Sequence, residues 1–202
     1  MSTTARSKLS DSPVTEAALL DLCKPFIHDR FSPQCVVVQP DEIPFPQDQL
    51  LVHHEHMTCV LERHHGEPVR VHVLEEHFDG DLYTRKISLT RGETDTVVEW
   101  GIVRLDFRYM DAEVRDEILR KQMPLGAILI KHDVLRRIKP RWFIRCPADG
   151  PLIRLFGRPA TPAEIYGRIG TIYCNDEPAI ELIELVLNCD NGQPRKSNGH
   201  AV

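Results

Sequence analysis

Two charged residues stand in columns where a β-strand places its apolar side chains. Arg85 lies within Tyr83-Thr84-Arg85-Lys86-Ile87-Ser88-Leu89, and Glu184 within Ile180-Glu181-Leu182-Ile183-Glu184-Leu185-Val186. Strand residues alternate between faces, so Arg85 shares a face with Tyr83, Ile87 and Leu89, and Glu184 with Ile180, Leu182 and Val186. A charge facing a core is costly unless something pairs with it. Two chemistries satisfy the pattern: an internal ion pair, or a small anion held in a pocket. Arginine suits the second, because its planar fork matches a carboxylate and keeps its proton where water is excluded. Glu181 occupies the other apolar column of its strand, and a bulge would exchange it with Glu184.

The chain that must position these residues has 202 residues, 42% apolar and 27% charged, with a net charge of -5. That length suits one domain with a core and room for a ligand cavity. The charge offers no surplus for nucleic acid or an anionic membrane. Residues 1–13 read as a disordered lead without the apolar stretch of a secretory signal, and no apolar run has membrane-spanning length, so the expected address is cytoplasmic. Six cysteines without a CxxC pair are expected to be reduced, with no disulfide framework.

Helical spacing predicts helices over 14–27, 49–64 and 111–121. Between the first two, Pro33, Pro40, Pro44 and Pro46 mark an irregular connection. From Val69 the period drops to two, predicting an antiparallel meander of strands through Val73, Leu82–Thr90 and Thr96–Phe107. Residues 127–138 fit helix and strand equally, and 142–146 reads as a short strand. Thr161-Pro162-Ala163-Glu164 has the form of a capped helix start, followed by a hairpin of 169–174 with 178–187. The expected fold class is therefore α+β, a single antiparallel sheet with helices packed on one face and an enclosed ligand cavity. One domain spans 14–188, with 14–46 as an N-terminal extension, 47–188 as the core and 189–202 as a flexible tail.

Four ordered segments carry a resemblance: His56-Met57-Thr58 leading into Leu61-Glu62-Arg63; Arg85 to Leu89; Pro124-Leu125-Gly126; and Gly167-Arg168 with the hairpin from Glu177-Pro178 to Glu184-Leu185-Val186-Leu187. Over roughly residues 47–188 this set resembles the chorismate pyruvate-lyase family, which makes 4-hydroxybenzoate from chorismate. The resemblance implies that Arg85 binds the carboxylate of the aromatic product, that Glu184 contacts the ring hydroxyl, and that the backbones of Met57 and Leu125 lie against the ligand. Backbone groups freed around Gly126 can serve the same ligand. Chorismate has two carboxylates, and Arg168 is the candidate second cation. The implied chemistry is a carbon–oxygen lyase reaction without metal or organic cofactor, with chorismate and hydroxybenzoate as partners of a monomer or weak homodimer. This chain departs from the family in its N-terminal extension and in a shorter stretch between Met57 and Arg85, where the family carries a flap.

The same fold also serves as a small-molecule sensor domain without chemistry, which is the alternative function. A sensor would normally carry a helix-turn-helix, and 1–46 is proline-broken and weakly basic. His53 and His56, one turn apart on the predicted helix, invite a metal reading, but no third ligand is evident in the sequence.

Overall fold

The structure, a computed structural model, describes residues 13–27, 32–157 and 164–187. The expected lead (but for Pro13), the flexible tail and the helix start at 161–163 lie outside them. Among the described residues seven strands, β1 (Val36–Val38), β2 (Val69–Asp79), β3 (Leu82–Arg91), β4 (Val97–Asp106), β5 (Arg136–Pro147), β6 (Glu164–Cys174) and β7 (Glu177–Val186), form one sheet in the order β1-β5-β6-β7-β4-β3-β2. Every neighbouring pair is antiparallel. The sheet is two three-strand meanders, β2-β3-β4 and β5-β6-β7, joined where β4 pairs with β7. Local sequence makes the turns. Gly80 takes φ +60 between β2 and β3, and Asn175 and Asp176 take φ 52 and 66 in the two-residue hairpin between β6 and β7, as its tight turn requires.

Among the described residues six α-helices accompany the sheet: α1 (Pro13–Cys23), α2 (Gln47–Leu51), α3 (Met57–His65), α4 (Ala112–Arg120), α5 (Leu125–Lys131) and α6 (Pro151–Arg154). The α+β class and the single antiparallel sheet agree with the sequence reading, but the helices occupy both faces. Leu50, Leu51 and Leu61 from α2 and α3, with Ile118, Ile128 and Leu129 from α4 and α5, bury the face that carries Tyr83, Leu105 and Ile180. Leu19 and Leu22 of α1, with Leu152 and Ile153 of α6, bury the other face against Trp100, Ile102, Ile183 and Leu185. The reason is in the strands: β4, β6 and β7 are buried along nearly their whole length and need cover on both sides.

Three further expectations are corrected. The helix predicted over 49–64 is broken into α2 and α3, with Val52 at φ -90, ψ 71 and the chain non-helical through His56. Residues 164–168, read as helix, are strand β6, because pairing with both β5 and β7 overrides a local helix start. Cys35 and Cys146 form a disulfide. The pairing of Val36 with Arg145 sets these cysteines side by side across 111 residues of sequence, a proximity that no spacing rule reveals.

Candidate functional site

Strand register sets the site. Arg85 on β3 is level with Val103 on β4 and Leu182 on β7; the next row holds Ile87, Gly101, Glu184 and, on β6, Arg168. Arg85 and Glu184 are thus one row apart, about 7 Å, and two strands apart, about 10 Å. Arg85 is 0% exposed, and all three of its guanidinium nitrogens are buried without a hydrogen-bond partner. The neighbouring Tyr83 hydroxyl donates to Glu76 at 2.9 Å. Burial lowers the pKa of Arg85, opposed first by Tyr83, whose hydroxyl is near enough to act on the guanidinium without meeting hydrogen-bond geometry, and then by the charge of Glu76.

Glu184, 8% exposed, is paired, but with Arg168 rather than Arg85: Arg168 Nε donates to Glu184 Oε2 at 2.6 Å. The internal ion pair considered for Arg85 therefore exists with a different arginine. Arg168 also donates to the carbonyls of Leu51, His53 and Glu55 at 3.1–3.3 Å. Those carbonyls are the ones released where α2 and α3 part, so one guanidinium holds both the acid and the helix break. Its donors reach protein oxygens, which leaves Arg168 a positioning residue rather than a second cation facing a ligand. Gly167 makes this approach possible, since a Cβ there would lie 2.5 Å from the Glu184 carbonyl oxygen. Glu181 points to the opposite face, where Arg104 holds it together with Asp21.

The helix break delivers Met57 and Thr58 as the first residues of α3, and Pro124 delivers Leu125 and Gly126 as the first of α5. With Arg85 and Glu184 these residues line one narrow void of about 40 Å³. The sequence-predicted residues Met57, Arg85, Leu125, Gly126 and Glu184 are thus brought together, while Arg168 stands behind Glu184. The void has room for one or two waters, not for a ring, and pockets that hold organic ligands run to several hundred Å³. Among the described residues, this void falls short of the ligand-sized enclosed cavity expected from sequence.

Two further wall residues are polar: Glu99, which the sequence does not single out, and His56, which it offers only within the His56-Met57-Thr58 segment and as a metal ligand. Glu99 is 2% exposed, and its Oε2 has no partner. Burial, and then the charge of Glu184, raise its pKa well above 4.5 against the pull of Arg168. The alternation that exposed Arg85 runs back from Val103 through Gly101 to Glu99, so the signal was present. His56 precedes α3 without a side-chain cap bond and packs against Gly126, where a Cβ would stand 2.9 Å from the imidazole. Its Nε2 accepts from Arg136 Nε at 2.8 Å, and burial with Arg136 and Arg168 lowers its pKa to about 4. His56 also lines an open outer groove of about 840 Å³ with Cys59, Arg136 and Arg137, and so separates groove from void. The rings of His53 and His54 engage the Leu50 and Ile138 carbonyls. Among the described residues no group of three or more His, Cys, Asp or Glu is arranged to hold a metal.

No protein-family model matches this sequence, and no curated protein matches it. Among solved structures, the crystal structure of PhnF from Mycobacterium smegmatis is similar at a TM-score of 0.49 and 14% identity, over 87% of this chain and 80% of that one. A likeness that distant carries no argument, and the fold rests on the strand pairing described above. No helix among the described residues is long and apolar enough to cross a membrane.

Proposed function

We propose that this chain binds a small cyclic or aromatic carboxylate at Arg85 and acts as a chorismate lyase-like enzyme, eliminating pyruvate from chorismate to give 4-hydroxybenzoate. The observation that carries the binding half is the Arg85 guanidinium, wholly buried with no partner and lining a void. Such a group is stable only if an anion or water completes it. The N–H groups at the starts of α3 and α5, beside Met57 and Leu125, add donors on the facing side. The catalytic half rests on the ordered resemblance of the site residues to the lyase family.

In this reaction the C3–O bond breaks, the electrons of the C4–H bond complete the aromatic ring, and the proton ends on the pyruvate methyl. Aromatisation drives it, so the protein's work is to hold the reactive conformer and exclude water. Arg85 takes the ring carboxylate. Glu184, fixed by Arg168, accepts from the C4 hydroxyl. The ring is admitted by outward movement of His56, Met57 and Leu125, which roof the void. With Arg168 engaged, the enolpyruvyl carboxylate turns to the groove side, which Arg136 and Arg137 line.

One observation favours the second reading, a binding domain without chemistry: the Glu184 carboxylate already serves Arg168, and burial pushes the unpartnered Glu99 carboxyl towards its neutral form, so neither is a free base. Purified protein incubated with chorismate, with pyruvate followed by a lactate dehydrogenase couple, separates the two. Pyruvate release that Arg85→Ala and Glu184→Gln abolish supports the enzyme. Binding of 4-hydroxybenzoate with no pyruvate from any variant transfers the conclusion to the sensor.

A further inference from the structure

Neither the Arg168–Glu184 pair nor the unpaired Arg85 explains why a second carboxyl group is buried in the same void. The Glu99 Oε1 lies 3.4 Å from where a Cβ on Gly101 would stand, and Gly101 is the bare floor position between Ile87 and Glu184. Glu99 therefore leans over the floor with Oε2 unpartnered. Arg85 is level with Val103, two rows from Glu99 along β4, so guanidinium and acid approach the void from opposite ends.

We infer that Glu99 is a specificity residue of this pocket: its carboxyl group hydrogen-bonds a neutral oxygen of the ligand, a hydroxyl or an ether, while Arg85 holds the ligand's carboxylate. The inference rests on the carboxylate reading of Arg85 and narrows the ligand class to ring carboxylates that carry an uncharged oxygen across the ring. The groups facing Glu99 agree with it. Glu184 on β7 repels a second negative charge; Arg168 on β6 is bonded to Glu184; Arg85 on β3 sits at the far end; and His56, before α3, accepts from Arg136 and is uncharged at neutral pH. A protonated carboxyl both donates and accepts, which suits a hydroxyl and repels nothing neutral.

Titration calorimetry of 4-hydroxybenzoate and benzoate into wild type, Glu99→Gln, Glu99→Leu and Arg85→Ala tests this, with circular dichroism to confirm folding. Wild type is expected to prefer 4-hydroxybenzoate by about tenfold, the worth of one buried hydrogen bond. Glu99→Gln keeps the preference, and Glu99→Leu lowers it to the part that Glu184 supplies. In wild type the preference fades as rising pH ionises Glu99, whereas in Glu99→Gln it does not change as long as the ligand's own phenol stays neutral. An undiminished preference in Glu99→Leu, with Arg85→Ala binding neither ligand, overturns this inference and leaves the Arg85 reading intact. Wild type that binds neither carboxylate overturns both.

Discussion

Replacing Arg85 with methionine tests whether the buried guanidinium is there for stability or for a ligand, because the two roles predict opposite signs. All three guanidinium nitrogens are buried and unpartnered. Each unsatisfied buried donor costs roughly 1–3 kcal/mol, and waters admitted by the void lower that penalty without abolishing it. Methionine matches the length of the arginine stem and packs against Ile87, Val103 and Leu182. Trading an unpaired buried charge for an apolar side chain should therefore stabilise the ligand-free protein by about 3 kcal/mol. For a chain of this size that raises Tm by roughly 6–12 °C in a thermal melt. Adding 4-hydroxybenzoate at a hundred times its Kd should stabilise wild type by about 2.7 kcal/mol and leave Arg85→Met unmoved, so the two melts converge. A variant less stable than wild type refutes the reasoning, since losing a partner-bearing buried arginine costs about 3–5 kcal/mol.

The remaining predictions concern the residues around it. Glu99 has a folded pKa above its unfolded value of 4.5, so the folded state holds the extra proton and wild-type stability falls as pH rises from about 4.5 towards the raised value. Glu99→Gln removes that decline, and its advantage in urea unfolding should grow with pH. His56, lowered from 6.5 to about 4, behaves oppositely: the unfolded state takes the proton first, so acidification from pH 6.5 to 4 removes up to about 3 kcal/mol, which His56→Asn should restore in the same assay. Arg168→Ala leaves Glu184 and three backbone carbonyls without their donor, and should lower Tm by roughly 6–20 °C; Arg168→Lys, with one ammonium for four acceptors, recovers little.

Period-two alternation made much of this legible. It placed β3, β4 and β7 within a few residues and marked Arg85 and Glu184 as buried charges. The same column on β4 carries Glu99, two steps before Val103 and outside the Val103-Leu105-Phe107 alternation that marks the strand. Long-range partnership was not legible. That Glu184 belongs to Arg168 depends on the β6–β7 register, and that register also turned a plausible helix start at 161–168 into strand over its described part. The break between α2 and α3 has no proline or glycine to announce it, because Arg168, from more than 110 residues away, supplies the donors that a continuous helix would have provided. The Cys35–Cys146 bond and the cover on the second face are tertiary in the same sense.

If the buried Arg85 guanidinium is there to receive a carboxylate, titration of 4-hydroxybenzoate into wild type and Arg85→Met must separate the two proteins. Saturable one-site binding to wild type, absent from the folded variant, is the predicted result. Equal binding to both proteins would place the ligand elsewhere and contradict the claim.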